Sequence, residues 1–370
     1  MRSLFVILLF LPALALAQPA ITDISGSPNT VTHGSAVTIS GSSFGTKPNA
    51  APLKWDTFEA GASGSLLASV QPEWVPIYNN DLGGTLYTNS RSHSGSLSVY
   101  NAVNRPDRRA ANDGEWEANW FRTPLSNTIF ISYWIRVESS DMNGVHKMCR
   151  ITSSTDAGGE GVYNGYGSFA FGGNLPCEQP QMDVSTDNNT GLNLGNTYIT
   201  TPGCGTWFQV QMGRTLNSIG SSNGWLGAGI VGYEMLNFEN NANVFVSGPF
   251  DGKSLQLDTV LLGTMVANYV DGDDTAVYID DIYIDNTRAR VELGNNAVYA
   301  NCSHREMQIP SSWNNTGISV TANTGTFPEG PAWLFVVNAA GQASPGFPVT
   351  VQAGAAVLGP GAPGQPQITR

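Results

Sequence analysis

Val277 to Arg290, reading VYIDDIYIDNTRAR, restricts how this chain can fold more than any other stretch. Val277, Ile279, Ile282 and Ile284 are strand formers, yet Asp280 and Asp281 sit side by side among them. An unpaired charge buried in an apolar strand is expensive. Three devices relieve the cost: a bound cation, an arginine partner such as Arg288 or Arg290, or a bulge that turns one carboxylate aside. The segment reads as the closing strand of a large β-sandwich and the exit from it.

The chain begins with Met1-Arg2, an apolar run from Leu4 to Leu11 and the small-residue site Ala15-Leu16-Ala17. That pattern is a secretory signal peptide over residues 1–17. Gln18 offers no lipid-acceptor cysteine, and no later segment is apolar for long enough to span a bilayer. The expectation is an exported chain (extracellular, cell-surface or periplasmic) without a transmembrane anchor. Its length suits one large or two moderate domains. Gly, Ser, Thr and Asn abound, apolar runs are short and no helical period lasts three turns, so the fold class is all-β. With 17 basic against 29 acidic residues, the chain is unsuited to nucleic acid or an anionic membrane. Cys149, Cys177, Cys204 and Cys302 suggest disulfides in an exported chain, and none has metal-ligand spacing. Cys177 and Cys204 bracket an Asn/Asp/Gly-rich segment and form the favoured bridge; Cys149, in the strand-like Lys147–Thr152, also reads as a buried thiol.

Residues 36–45 run Ala-Val-Thr-Ile-Ser-Gly-Ser-Ser-Phe-Gly. This strand and G-S-x-F-G turn resemble the start of an IPT/TIG-type immunoglobulin-like domain. Such a domain needs about seven strands, but only two or three precede Trp55, where the pattern breaks. The missing strands reappear as Met307–Ile309, Gly317–Thr321, Ala332–Val337 and Phe347–Val351. Neither fragment is large enough to bury a core alone. The expectation is one immunoglobulin-like domain split into residues 18–54 and 301–353, with 55–300 inserted; two separate small β-units are the competing reading. The Gly/Pro-rich residues 354–370 read as a disordered tail.

The insert presents Trp55-Asp56-Thr57-Phe58-Glu59-Ala60-Gly61, then Ser92–Val99, Ile129–Val137, Gly205–Met212 and the closing VYIDDIYID. In that order these motifs resemble carbohydrate-binding jelly rolls and concanavalin-like sandwiches, folds that also include polysaccharide lyases. The resemblance implies a jelly-roll sandwich and a structural calcium ion held by Glu59 and Asp280, with Asp281 as a third candidate. Asp271-Gly272-Asp273-Asp274 lacks the twelve-residue calcium pattern and reads as a solvated acidic turn.

Strict alternation along Val145–Arg150 puts His146, Met148 and Arg150 on one face and Lys147 and Cys149 on the other. A lyase needs a cation or donors to neutralise a uronate carboxylate, and a His, Tyr or Lys base to take the C5 proton. His146, Arg150 and Tyr166 are the candidates if the protein is a lyase; ordinary strand contacts are the competing reading. The R-x-E-x-R, Q-I-H and Y-x-K-x-G-x-Y strings of well-known alginate lyases are absent, and Arg105–Arg109 is a loose echo. Trp116, Trp120 and Trp225 lie in contexts that suit exposure and sugar stacking, whereas Trp134 and Trp207 read as core. Glu115 and Glu117 lack the third acid of a retaining glycosidase, and no esterase elbow, zinc-protease motif or phosphate loop occurs. The reading is a protein that binds a polysaccharide or surface glycan. A polysaccharide lyase or hydrolase working in the same groove, and a self-associating surface or filament subunit, are the alternatives.

Overall fold

A computed structural model describes residues 17–26, 28–77, 84–102, 116–138, 145–152, 167–172, 181–186, 197–200, 202–216, 223–241, 256–267 and 275–352. The first strands are β1 (Ala20–Ile24), β2 (Thr30–Thr32) and β3 (Ala36–Ser42). There follow β4 (Lys54–Asp56), β5 (Trp74–Ile77), β6 (Leu86–Thr88), β7 (Ser98–Ala102), β8 (Trp116–Ser126) and β9 (Thr128–Glu138). Next come β10 (Val145–Thr152), β11 (Gly167–Gly172), β12 (Gln181–Thr186), β13 (Thr197–Thr200), β14 (Trp207–Thr215) and β15 (Gly224–Ile230). β16 (Met235–Asn241), β17 (Leu257–Ala267) and β18 (Ala276–Asp285) complete the insert. The last strands are β19 (Arg290–Gly294), β20 (Arg305–Trp313), β21 (Gly317–Thr321), β22 (Gly330–Val337) and β23 (Phe347–Gln352). Among the described residues no helix is long and apolar enough to cross a membrane.

Strands from the two ends of the chain form one sheet, in the order β1-β3-β21-β20-β19-β22-β23-β2. β3 alternates cleanly, with Val37 and Ile39 buried and Ala36, Thr38 and Ser40 exposed. Its apolar face meets that of β21, where Ile39 stands opposite Ile318 and Val37 opposite Val320. β2 runs parallel to β23. The sheet wraps round its own core, with Ile24, Val31, Val291, Leu334 and Val349 inside. A second β-sandwich, built from both ends of the chain, is thus split around the insert. It takes over at Arg290 instead of residue 301, because β19 pairs with β20 and β22.

The insert is a jelly-roll sandwich of two antiparallel sheets. One has seven strands, β13-β12-β11-β10-β17-β8-β5; the other runs β16-β15-β14-β9-β18-β7-β6, with β4 also on β18. Ile131 and Ile135 of β9, Val210 of β14 and Ile279 and Ile282 of β18 pack against Cys149, Ile151, Val260 and Leu262. Strands β9 and β18 are buried along almost their whole length. One face meets this core; the other meets the sandwich built from the two chain ends, where Phe130, Trp225 and Tyr283 pack on Met307. Double burial explains the near-continuous apolar runs of both strands.

Cys149 and Cys302 are buried free thiols, and burial pushes the Cys149 thiol well up. Cys204 is disulfide-bonded; Cys177 lies outside the described residues, as do residues 1–16, Asp271–Asp274 and the tail.

Candidate functional site

The Asp pair is resolved by a bulge. The pairing of β18 with β9 slips between Asp280 and Tyr283, and Asp281 takes a left-handed φ of 48°. Asp280 Oδ2 accepts the backbone N–H groups of His93 (2.8 Å) and Ser94 (3.3 Å), and Oδ1 that of Asp281 (2.9 Å). Asp281 meets His93 Nδ1 at 2.8 Å and accepts the Ser94 hydroxyl at 2.8 Å. Glu59 accepts the N–H groups of Ser96 and Leu97, each at 2.8 Å, and the Ser96 hydroxyl at 2.7 Å. One loop, 93–97, therefore satisfies all three carboxylates. Burial, then the neighbouring Asp281 charge, pushes the Asp280 carboxyl up to about 9. Arg288 and Arg290 pair elsewhere, with Glu239 and Glu292.

Calcium takes six to eight oxygen ligands. The atoms facing Glu59, Asp280 and Asp281 are N–H and O–H donors and an imidazole, so these residues do not fit the calcium site expected from the resemblance. The sequence shows acidic residues but not the donors that a distant loop brings to them.

On the seven-stranded sheet two of the candidate residues come together. Leu261 of β17 stands opposite Arg150 of β10 on one side and Trp120 of β8 on the other. Trp120 in turn faces Val75 of β5, and Arg150 faces Ser168 of β11. Directly opposed residues share a face, so Val75, Trp120, Leu261 and Arg150 form a row across the sheet. Their neighbours Phe121, Cys149, Ile151, Val260 and Leu262 point into the core. Strand spacing sets the Trp120 and Arg150 backbones about 10 Å apart. Arg122, on the same face as Trp120, lies over its ring at 5.3 Å, bonds the Thr259 hydroxyl and sits 3.9 Å from Asp258. Val75, on the edge strand, is 48% exposed; Trp120 and Arg150 are half-buried, and Leu261 between them is buried.

Strict alternation fails in β10. Its register slips between Lys147 and Cys149, Met148 being the extra residue against β11, and Met148 is buried in the core with Cys149. Met148, in the core, and Arg150, which is not, therefore do not share the face expected of them. The side chains of His146 and Trp116 lie outside the described residues, as does Tyr166.

Trp225 is not an exposed platform: it lies in β15 and is 7% exposed. Gly213 and Gly227 are paired beneath it, and a Cβ on either would come within 2.6 or 2.5 Å of its ring. Arg288 covers the ring at 4.0 Å, and Nε1 donates to Asn237 Oδ1 at 2.5 Å. Together with Arg290, Arg305 and Tyr299 it lines a pocket of about 200 Å³ between the sandwiches. Gly213→Ala is expected to cost about 1–3 kcal/mol through overpacking and to shift tryptophan fluorescence. An unchanged urea midpoint would show that the ring is free to move. Trp134, expected in the core, is buried on the other face of its sheet, stacked on His93 at 3.8 Å.

Fold and site together define a jelly-roll sandwich carried on a second β-sandwich that is split around it. No known family's sequence profile matches the chain, and no curated protein matches it. Among solved structures it is similar to an alginate lyase variant in complex with alginate tetrasaccharide, at 10% identity and a TM-score of 0.44, covering 64% of this chain and 98% of that one. It is also similar to an endo-β-1,4-glucuronan lyase from the fungus Trichoderma reesei (10% identity, TM-score 0.40, 63% and 95% covered). A third similar structure is an alginate lyase from Aplysia kurodai (10% identity, TM-score 0.41, 63% and 98% covered).

Proposed function

We propose that this is an exported protein that recognises an acidic polysaccharide on the outer face of its seven-stranded sheet, the face turned away from the core. The observation that carries the reading is the cross-strand row in which Trp120 and Arg150 both flank Leu261, with Arg122 on the Trp120 ring. An aromatic face takes the C–H groups of a sugar ring, and guanidinium groups match a carboxylate in charge and geometry. The opposite sheet is covered by the second sandwich, which favours this face for a long polymer.

Trp120→Ala is expected to weaken binding of a uronic-acid polysaccharide about tenfold. Arg150→Ala is expected to weaken it more than that of a neutral polymer. Titration calorimetry checks both, and equal losses on the two polymers would remove the carboxylate role.

The second reading is elimination on the same face. Arg150 would neutralise the uronate carboxylate, and His146 in the same strand or Tyr166 would supply the base. Light scattering of the mixture separates the readings. Shortening of the polymer with a rise in unsaturated ends establishes a lyase, whereas constant length with co-elution establishes a binder. Self-association without co-elution favours a surface or filament subunit.

A further inference from the structure

The loop that satisfies the Asp pair also carries a histidine aimed at the other sandwich. His93 Nδ1 is held by Asp281 Oδ2 at 2.8 Å, and its ring lies flat on Trp134 with an interplanar angle of 12°. These two contacts fix the ring with Nε2 towards β20. There Glu306 Oε1 stands 3.8 Å from His93 Nε2 and 2.7 Å from His304 Nε2. The Thr326 hydroxyl is 3.3 Å from His93 Nε2. One ligand atom from each of His93, His304 and Glu306 lies within 4.8 Å of the other two. Glu306 is buried against Gly325, which has a φ of 47° and where a Cβ would come within 2.2 Å of Oε1.

We infer that His93, His304 and Glu306 form a binding site for a divalent transition metal of the zinc class, pinning the inserted sandwich to the one built from the chain ends. Two imidazoles and a carboxylate suit such an ion, whereas calcium takes oxygen alone. Bonds of about 2.0–2.2 Å in a tetrahedron put ligand atoms roughly 3.4 Å apart, between the 2.7 and 3.8 Å found here. Asp281 stands where a carboxylate orients a metal-binding histidine, holding the Nδ1 proton so that the Nε2 lone pair faces the ion. Among the described residues, the ion pairs of Asp281 and Glu306 are with histidines alone. A cation there offsets the buried negative charge. Trp134 and Phe327 wall the site, and the His304 side chain, 22% exposed, leaves a path for the ion and a water as fourth ligand.

This inference does not depend on the polysaccharide reading, and its test needs no polymer. The full mature chain, stripped with chelator and dialysed, is titrated with Co²⁺ and Zn²⁺. One equivalent of Co²⁺ is expected to give the visible absorption of a low-coordinate nitrogen–oxygen site. One equivalent of Zn²⁺ is expected to displace it and raise Tm by on the order of 5 °C, with no rise from Ca²⁺. His304→Ala, a partly exposed position, is expected to fold with an unchanged near-ultraviolet circular dichroism spectrum and to lose both the absorption and the Tm rise. Absence of stoichiometric Co²⁺ absorption in the unsubstituted protein overturns the inference without any variant. Retention of the absorption by His304→Ala, or a Tm rise with Ca²⁺ but not Zn²⁺, also overturns it.

Discussion

Asp285→Ala is expected to lower the unfolding free energy by about 3–5 kcal/mol. Asp285 ends β18, where the insert returns, and Lys47 lies just before the insert departs. Their side chains, 1% and 0% exposed, meet at 2.6 Å and tie the two crossings together. The Lys47 ammonium also donates to the carbonyls of Asn49 and Ala50, each at 2.8 Å. Asp285 accepts the Tyr283 hydroxyl at 2.7 Å and the Asn286 N–H at 2.8 Å. Burial outweighs the mutual attraction in both partners, pushing the Asp285 carboxyl up and the Lys47 ammonium down. The pair by itself therefore adds little stability. Stranding one buried charge is what costs. The double variant Lys47→Met/Asp285→Leu should recover much of the loss, and a double-mutant cycle by urea denaturation measures the difference. A loss below about 1 kcal/mol in Asp285→Ala would mean that water reaches the ammonium.

Glu292→Ala is expected to cost a similar amount, about 3–5 kcal/mol, and also to uncouple the two sandwiches. Glu292 of β19 is fully buried and faces Arg290 Nε at 3.5 Å and Arg305 Nη1 at 3.6 Å. It accepts the Tyr299 hydroxyl at 2.5 Å and the side-chain amide of Gln211, which belongs to β14 of the insert. Burial opposes its charge, but the two guanidiniums together with the Tyr299 and Gln211 hydrogen bonds outweigh burial and hold the carboxyl below its ordinary 4.5. A folded pKa below the unfolded one means stability present above pH 4.5 and lost as the pH falls through the folded value. Calorimetry of Glu292→Ala at neutral pH should show two transitions in place of one. Tyr299→Phe removes a hydroxyl and no charge, costs about 1–3 kcal/mol and should keep a single transition. A single cooperative transition in Glu292→Ala would put the coupling elsewhere.

The all-β class and the split domain were legible from local patterns. Val37 and Ile39 alternate with polar residues because one face of β3 is solvated, and their partners Ile318 and Val320 show the same period far along the chain. Trp120 and Arg150 were legible as candidates by residue type, though not as neighbours across β17. The expectation for Trp225 failed because its Gly-rich surroundings resemble a loop. Those glycines are instead the floor on which its ring lies. His93 was passed over, although His-Ser-Gly-Ser beside a strand, together with an Asp pair lacking any local partner, was a usable signal. His304 and Glu306 gave no comparable sign.

What the sequence by itself determined is therefore periodicity: which residues within a strand share a face, where strands begin and end, and that Asp280 and Asp281 must find partners. Tertiary structure decided which sheet face is covered, where β10 and β18 take an extra residue, and which loop answers the Asp pair. The physical reason is that alternation with a period of two is local, whereas one inserted residue reverses the parity of all that follows it. Whether that reversal is stable depends on groups far away in the chain, here the 93–97 loop for β18 and the sandwich core for β10.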